Sequence, residues 1–413
     1  MSSAYRVTAA IDVHKKWLYV VVGQPDAAER EYARCRTGST SQELAVLANW
    51  LHDRGVSTVV MESTAQYWKP VWATLEGEFT LLLAQARSNA APHGRKSDYA
   101  DAARLMKRLW ADDLRLSFVP DAEQRGWRLL TRTRVQHTRE ITRLRNRIEG
   151  LLEECRIKIS GLLSDLLGAS GRRMLRALIA GKTTDPQQLA GLADKRLRAT
   201  PEELERALNG QLGPVHRLLL GQLLDEIELL EGHMAKLDQC LLDQLASQRE
   251  VVRRLCAVPG IGIEAAQLIL AELGPRAATF PTAAHVASWV GVCPGRNESA
   301  GHSTSDASPK GNRQMRRILN QCAWAAVRSK DTYWQQLFRR LTPRLGVNKA
   351  LWAVAHRILR VIWLVLHEGV EYQERGPCTP DPERLRRRIE RMLYELRKRG
   401  VHFQLTPITG ASA

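Results

Sequence analysis

An aspartate inside an apolar run is the feature that most constrains the fold of this chain. Asp12 interrupts VTAAIDVHKKWLYVVV, where its neighbours Ala10, Ile11 and Val13 have the character of a buried strand. A carboxylate in such a position is unfavourable unless another group offsets its desolvation. A hard divalent cation such as Mg²⁺ can do so, because it prefers oxygen ligands. The run therefore favours a fold that brings further acids to this strand.

Three further acids are candidates for the same site. Glu62 closes the apolar run STVVMES, and Asp98 and Asp101 lie in KSDYADAARLMKRL at the start of a helical pattern. Residues at i and i+3 share one face of a helix. Nucleases and polymerases use a cation shared by acids of several elements to bind and polarise a phosphodiester. We therefore expect the four acids to bind Mg²⁺, with Mn²⁺ as a substitute.

The segments around these acids predict an ordered set of elements. Apolar and β-branched runs predict strands at residues 5–13, 17–23, 56–61 and 79–84. Helical spacing predicts helices at about 41–53, 66–77 and 98–110. A tight turn is expected near His14–Lys16. An acid on the first strand of a hairpin, an acid ending a later strand and acids on a final helix form the layout of an α/β RNase H-like domain.

Two of the acids also have purely structural interpretations. Asp98 suits the beginning of a helix, where the macrodipole favours a negative charge. Glu62 could be a solvent-exposed residue at the end of a strand. Asp12 is harder to explain in this way, since its neighbours are apolar. The four acids together, in this order on these elements, favour the metal site.

Charge and cysteine usage agree with an intracellular protein that acts on nucleic acid. The 413 residues imply two or three domains and carry a formal net charge of +17, which suggests a polyanionic partner, although a basic soluble protein would show the same balance. The seven cysteines form no CxxC pair, so we expect reduced thiols in a prokaryotic cytoplasmic protein that is nucleoid-associated when it acts. No signal peptide is recognised. The apolar stretch AHRILRVIWLVLHEGV is interrupted by Arg357 and Arg360, so we expect a buried helix and no membrane partner.

The organisation of the chain changes after residue 120. We expect four segments: a metal-binding domain at 1–120, a basic helix and coiled coil at 121–250, a C-terminal domain at 251–375 and a basic tail at 376–413. Residues 123–160 read as one long helix whose arginines lie mostly away from its apolar stripe. Its candidates for phosphate contacts are Arg139, Arg143 and Arg147, against the alternative of a solvated face mixed with glutamates.

A second long helix is predicted at 214–248. Apolar residues repeat there in two heptad series, which predicts a coiled coil with the first helix or with another subunit. The middle region is thus predicted to be mostly helical, and a long coiled coil within it favours an oligomer.

The segment VPGIGIEAAQLILAEL predicts a helix-hairpin-helix-like element. Such a turn exposes backbone N–H groups at Gly260 and Gly262 to a DNA phosphate, unless it is only a tight turn between helices. A loop rich in Gly, Ser and Asn follows, and then a basic helix at about 312–328. The cations around this loop are candidates for phosphate contacts: Arg296, Lys310, Arg313, Arg316 and Arg317.

A serine of this loop could attack a phosphodiester. Ser299 lies next to the small residues of ESAG, and its hydroxyl would need a base or a metal to take its proton. From chemistry alone Ser303, Ser305 and Ser308 are equally plausible.

The chain resembles the IS110 family (IS110/IS116/IS902) of DEDD transposases. The N-terminal resemblance lies in AAIDVHKKWLYVVV, VVMESTAQYWKPV and KSDYADAARL, and the C-terminal one in VPGIGIEAAQLILAELG, GVCPGRNESAG and SPKGNRQMRRIL. It implies a RuvC-like domain whose four acids bind Mg²⁺, and a helical C-terminal transposase domain whose nucleophilic serine is Ser299. It also implies cutting and rejoining of DNA through a covalent serine intermediate. His302 stands where family members often carry a lysine, which puts a phosphate-binding role of that position in doubt.

The resemblance further implies partners. These are donor and target double-stranded DNA, a noncoding guide (bridge) RNA, and other copies of the chain, as a dimer assembling to a tetramer in which one subunit's acids meet another's serine. Two alternatives stay open: a Holliday-junction-type nuclease that uses water, and a non-catalytic nucleic-acid-binding derivative. The tail contains ERLRRRIERMLYELRKRG, a basic amphipathic helix that could dock on the core or contact RNA.

Overall fold

The structure is a computed structural model in which most of the chain is described. The described residues are 7–62, 65–85, 97–183, 185–293, 297–299, 302–305, 308–374, 376 and 382–400. The chain forms two compact units, Met1–Arg125 and Gly126–Ala413. The first contains a mixed sheet with helices against both faces, and the second is mostly helical.

The first unit is built on a six-stranded sheet of order β3-β2-β1-β4-β5-β6. Its elements are, in chain order, β1 Thr8–Val13, β2 Trp17–Gly23, β3 Ala33–Gly38, α1 Ser41–His52, β4 Thr58–Glu62, α2 Trp68–Leu75, β5 Thr80–Ala84, α3 Asp98–Trp110 and β6 Leu116–Ser117. β1 is antiparallel to β2 and parallel to β4. This mixed sheet, followed by a helical region, is consistent with the predicted RNase H-like domain.

β1 lies inside the sheet because both of its faces are apolar. Alternation places Ala9, Ile11 and Val13 against the core of α1 and α2, and Ala10 against the core of α3. A strand buried on both faces has a nearly continuous apolar sequence. The aspartate in this run therefore enters a strand that the sheet and its helices cover.

The four predicted strands correspond to β1, β2, β4 and β5, and the three predicted helices to α1, α2 and α3. β3 was not predicted. It is an edge strand in which the exposed Arg34 and Arg36 alternate with half-buried residues. Charged residues on an edge strand prevent further strand pairing. Because they also interrupt the apolar pattern, the sequence did not indicate a strand here.

The second unit begins within a long helix and continues as a helical assembly. Its elements are α4 Ala122–Glu154, α5 Ala169–Ala180, α6 Pro186–Ala190, α7 Pro201–Leu208, α8 Pro214–Gln244, α9 Arg249–Cys256, α10 Ile263–Leu273, α11 Ala283–Val290, β7 Asn297–Ser299, β8 His302–Ser305, α12 Arg313–Arg328, α13 Tyr333–Leu345, α14 Val347–His367 and α15 Pro382–Lys398. The predicted helix at 123–160 ends earlier than expected, before Arg156, whose φ is +61°.

Two apolar cores stabilise this unit. In one, residues of α4 from Leu144 to Leu152 pack with α5, α6, α7 and the first half of α8. In the other, the beginning of α4 and the end of α8 pack with α9 to α14. The first heptads of α8 are thus buried within the same chain, while Met234 and Leu237 are only half-buried. The coiled coil stays a prediction.

The apolar stretch near the C-terminus forms α14, whose Val354, Ile358 and Ile362 are fully buried in the core. This agrees with the predicted buried helix. Among the described residues, α14 is the one helix whose length and apolar composition would suffice to cross a membrane, and half of its apolar stretch is buried in the unit. On α15, by contrast, Ile389 and Met392 are exposed.

Candidate metal centre

Asp12 lies near the end of β1, on the sheet face covered by α3. Alternation places it on the same side as Thr8 and Ala10, and Ala10 belongs to the apolar core formed with α3. At the end of α3, Trp110 donates from Nε1 to Oγ1 of Thr8 at 3.1 Å. Helix α3 therefore lies along the face of β1 that carries Asp12.

Glu62 ends β4, the parallel neighbour of β1. The register pairs Ile11 with Met61, so Glu62 follows at the level of Asp12. Alternation places Glu62 on the same side as Val60, which belongs to the core beneath α3. Two parallel strands thus bring two carboxylates to one edge of the sheet.

Asp98 and Asp101 lie in the first turn of α3. Tyr99, between them, packs edge-on against Tyr19 with 5.3 Å between the ring centroids. Tyr19 is in turn the cross-strand partner of Asp12. This aromatic contact places the beginning of α3 beside Asp12, and the N-terminal end of the helix macrodipole favours negative charges there.

His14 joins these acids, and the sequence reasoning missed it. Its Nε2 lies 3.3 Å from Oδ2 of Asp12 and 3.5 Å from Oδ1 of Asp98. The candidate ligand atoms of the three residues all lie within 4.8 Å of one another. The sequence assigned His14 to a turn. The available signal was its position two residues after Asp12, because residues i and i+2 of an extended chain share a face.

The pKa of Asp12 reflects its burial and the charges around it. Burial is the largest effect, and it raises the pKa of Asp12 above its usual value. His14 opposes this rise, and the negative charges of the other three predicted acids add to it. Glu62, Asp98 and Asp101 therefore each lie close enough to Asp12 to repel its charge. Arg104 offsets part of this charge by donating to Oδ1 of Asp101 at 2.6 Å.

The donor set fits a hard divalent cation. Carboxylate oxygens are the ligands that Mg²⁺ and Mn²⁺ prefer in proteins. Like charges gathered on a partly buried edge are unfavourable unless a cation offsets them. Asp12 and Asp98 are the acids whose oxygens belong to the close group. His14, a nitrogen donor, is better suited to contact these carboxylates than to bind Mg²⁺.

Ser299 lies in the second unit, at the end of a short strand. β7 pairs antiparallel with β8, and Ser299 stands opposite His302. The sequence predicted only a loop here, because the strands are three and four residues long and their polar residues carry no apolar alternation.

The segment that contains this hairpin is closed at its base. A Cβ on Gly311 would lie 2.2 Å from the carbonyl oxygen of Val290, and Gly291 has a φ of +75°, so both positions require glycine. The backbone N–H of Asn312 donates to the carbonyl of Trp289 at 3.2 Å. The two ends of the Ser299 segment therefore lie against each other.

The predicted phosphate contacts differ in exposure. Three are exposed on α4 at intervals of four residues: Arg139, Arg143 and Arg147. Lys310 and Arg313 are exposed at the beginning of α12. The half-buried Arg316 places its guanidinium 4.7 Å from the ring centroid of Trp352. Arg296 lies outside the described residues.

The PGIG turn joins α9 to α10 by close packing. Gly260 has a φ of +89°, and a Cβ there would lie 2.3 Å from the carbonyl oxygen of Cys322 in α12. Gly262 forms the N-cap of α10, and a Cβ there would meet nothing within 4 Å. Gly260 is thus explained by helix packing alone, whereas the amide end of α10 at Gly262 is accessible.

Two family sequence models match this chain. One, described as the DEDD transposase of the IS110 group, matches residues 9–157. The other, described as the transposase IS116/IS110/IS902 family, matches residues 252–339. Together they span more than half of the chain. The first match contains the four acids and the second contains Ser299.

Individual relatives agree with these matches. The chain is 31% identical over 129 residues to an insertion element IS110 uncharacterized 43.6 kDa protein of Streptomyces coelicolor, covering 30% of this chain and 31% of that protein. It is 27% identical over 184 residues to a transposase for insertion sequence element IS1328 of Yersinia enterocolitica, covering 44% and 53%. It is 24% identical over 328 residues to a transposase for insertion sequence element IS1111A of Coxiella burnetii, covering 77% and 80%. The matched part spans less than two thirds of the first two relatives.

Proposed function

Because this chain belongs to the IS110 family of transposases, we propose that it is the transposase of an insertion sequence, which cuts and rejoins DNA at a divalent-metal centre. The observation that carries this proposal is the group formed by Asp12, His14 and Asp98, with ligand atoms within 4.8 Å of one another. Burial and neighbouring acids raise the pKa of Asp12, as expected where carboxylates gather at a functional site that suits a cation.

The four acids have distinct positions in this proposal. Asp12 lies near the end of β1 and Glu62 ends its parallel neighbour β4, and the backbone pairing of the two strands gives both acids rigid support. Asp98 and Asp101 come from one helix turn. When bound, Mg²⁺ would polarise the scissile phosphate and favour deprotonation of the nucleophile. His14 would orient the carboxylates of Asp12 and Asp98, and Arg104 would limit the negative charge of Asp101.

Ser299 is the proposed nucleophile. Its Oγ would attack the phosphorus of the scissile phosphodiester, forming an Oγ–P bond as the bond from phosphorus to the leaving DNA oxygen breaks. The serine proton would pass to a base, and the leaving oxygen would take up a proton. Attack by the hydroxyl of another DNA end would then rejoin DNA and release the serine. The ESAG motif supports Ser299 over the other serines of the hairpin.

The proposed partners are donor and target DNA, a noncoding guide RNA and further copies of the chain. The net charge of +17 and the exposed arginines of α4 support binding of a polyanion. Exposed apolar residues on α8 support contact between subunits: Leu218, Leu219 and Leu229. A dimer that assembles to a tetramer would cover them.

A covalent-trapping assay tests the chemistry. The protein, RNA transcribed from the flanks of the element, Mg²⁺ and end-labelled donor and target DNA are combined, and the products are separated on a denaturing gel. We expect a protein–DNA adduct with the wild type that is lost in Ser299→Ala and in Asp12→Asn. Ser303→Ala is the matched control, because Ser303 lies in the paired strand of the same hairpin, and it should retain the adduct.

The other outcomes identify the alternatives. Cleavage without an adduct, unchanged in Ser299→Ala, would mean a Holliday-junction-type nuclease that uses water. Binding of DNA with no metal-dependent cleavage by the wild type would mean a non-catalytic derivative. An adduct that survives Ser299→Ala and disappears in Ser303→Ala would move the nucleophile to the neighbouring strand.

A further inference from the structure

A cavity of about 280 Å³ lies in the second unit, between α4, α8, α10 and α12. Apolar side chains from these four helices form part of its lining. Its polar lining consists of two threonines, two glutamines, one carboxylate and two arginines: Thr131, Thr138, Gln267, Gln321, Glu264, Arg134 and Arg317. None of these residues belongs to the metal centre, and the cavity is distinct from the hairpin of Ser299.

The first arginine is already neutralised within the protein. Arg134 donates from Nε to Oδ1 of Asp238 at 2.5 Å. Its two terminal nitrogens donate to the carboxylate of Glu264 at 2.9 and 2.5 Å. With two carboxylates on one guanidinium, Arg134 has no need of an external anion.

The second arginine has no such partner. Arg317 is half-buried, and among the described residues its guanidinium makes neither a hydrogen bond nor an ion pair. Its Nε is fully buried and unpaired. Burial, followed by the charges of Arg139 and Arg134, lowers the pKa of Arg317 below its usual value. The fold therefore places at the cavity a partly buried guanidinium that lacks a hydrogen-bond partner among the described residues.

Such an arrangement is unfavourable without a ligand. A partly buried charged group that lacks a partner loses hydration without regaining hydrogen bonds. An anion in the cavity would offset this loss, because a guanidinium forms strong, charge-assisted bonds to phosphate oxygens. The side chains of Gln267, Gln321 and Thr138 supply additional donors at the same place.

We propose that this cavity binds a phosphodiester group of a nucleic-acid backbone, with Arg317 as its principal cation. The surroundings favour a polyanion over a small carboxylate ligand. Arg139, which is close enough to Arg317 to repel it, begins the exposed row with Arg143 and Arg147. Residues four apart on a helix are separated by about 6 Å along its axis. Such a row suits a chain of evenly spaced phosphates.

This site deepens the proposed function by assigning one backbone contact, and it takes from that function only that nucleic acid is the partner. It does not depend on Ser299 or on the metal centre. DNA and RNA share the phosphodiester, so the test has an arm for each.

The test measures equilibrium binding with the full chain in EDTA, where no cleavage occurs. Fluorescence anisotropy of a labelled DNA duplex and of a labelled single-stranded RNA gives the binding constant across a series of salt concentrations. The variant is Arg317→Met, which keeps much of the side-chain volume. The matched control is Arg328→Met, because Arg328 is an exposed arginine of the same helix, where it lies over Trp324.

Loss of one phosphate contact has a defined signature. Arg317→Met should reduce the slope of log K against log salt by about 0.9 for duplex DNA or about 0.7 for single-stranded RNA. If the slope falls with the DNA duplex, the cavity binds DNA; if it falls with the single-stranded RNA, the cavity binds RNA. Arg317→Lys should restore most of the slope, and Arg328→Met should leave it unchanged. The melting temperature of free Arg317→Met should equal or exceed that of the wild type, because an unpaired, crowded charge is removed.

Two results would overturn the proposal. One is a wild-type slope for Arg317→Met in both arms. The other is a lower melting temperature of Arg317→Met together with an equal loss of binding in Arg328→Met, which would mark Arg317 as a structural residue. Because the assay measures binding in EDTA, where no cleavage occurs, a failure of the proposed chemistry is distinguished from a failure of this site.

Discussion

Replacing Glu272 by glutamine is expected to lower the free energy of unfolding of the second unit by about 3 kcal/mol. Glu272 is completely buried in α10. Arg132 donates to its two carboxylate oxygens at 2.8 and 2.9 Å. The side chain of Asn312 donates to the same carboxylate at 2.9 Å. The carboxylate of Glu272 thus connects α10 to α4 and to the beginning of α12 through hydrogen bonds.

The magnitude follows from burial and partners. Breaking a buried ion pair on one side costs about 3–5 kcal/mol. The lower end applies here, because the side chain of Arg132 is 42% exposed and can be partly rehydrated. The glutamine amide would also direct donors towards the donors of Arg132 and Asn312. At about 2–4 °C per kcal/mol for a large domain, the melting temperature should fall by about 6–12 °C.

The assay is thermal unfolding of the full chain, followed by tryptophan fluorescence, with Glu264→Gln as a matched control. Glu264 lies on the same helix and also accepts two hydrogen bonds from an arginine of α4. It is 69% exposed, however, so its loss should cost less than about 1 kcal/mol. Equal shifts for the two variants would refute the reasoning from burial.

A double variant tests the pairing itself. Replacing both partners of a buried ion pair by apolar residues is often neutral or stabilising. Glu272→Met combined with Arg132→Met should therefore be more stable than Glu272→Met alone. A double variant whose loss equals the sum of the two single losses would show that the two side chains do not act as a pair.

Two further predictions concern the metal centre and the PGIG turn. Because the pKa of Asp12 is raised by folding, its charge opposes folding near neutral pH, and this opposition is lost as the pH falls from the folded pKa to the unfolded one. In the absence of metal, Asp12→Asn should raise the melting temperature at about pH 7, and this gain should shrink as the pH falls through the folded pKa towards the unfolded pKa; a gain independent of pH would contradict the assignment. Gly260→Ala should cost more than about 2 kcal/mol in urea unfolding, since its φ of +89° and the 2.3 Å approach to Cys322 leave no room for a Cβ. Gly262→Ala should cost less, about 0.5–1 kcal/mol, because glycine is preferred over alanine at an N-cap, and equal losses would refute the packing role.

The sequence predicted the parts of the first unit that depend on local pattern. The alternation around Asp12, the apolar run ending at Glu62 and the helical spacing from Asp98 are short-range signals, and they placed the acids on the correct elements. The polar edge strand β3 carried no apolar signal and was missed. His14 was missed because its role depends on α3, which begins more than eighty residues later.

The second unit was less predictable for the same reason. Long helices and the PGIG turn follow from local sequence. The pairing of Glu272 with Arg132 joins residues 140 positions apart, and no local pattern marks Glu272 as buried. The cavity at Arg317 depends on four helices at once. The sequence indicated Arg317 only as one of several candidates for phosphate contacts. Only the fold shows that its guanidinium lacks a partner among the described residues.

The two longest helices have a consequence for cooperativity. α4 contains 33 residues and is therefore about 50 Å long, and α8 contains 31. Each contributes apolar side chains to both cores of the second unit. Neither core can open without removing packing from a helix that the other core also requires. The two cores are therefore coupled into one cooperative folding unit, and a ligand that stabilises one of them also protects the other from local unfolding.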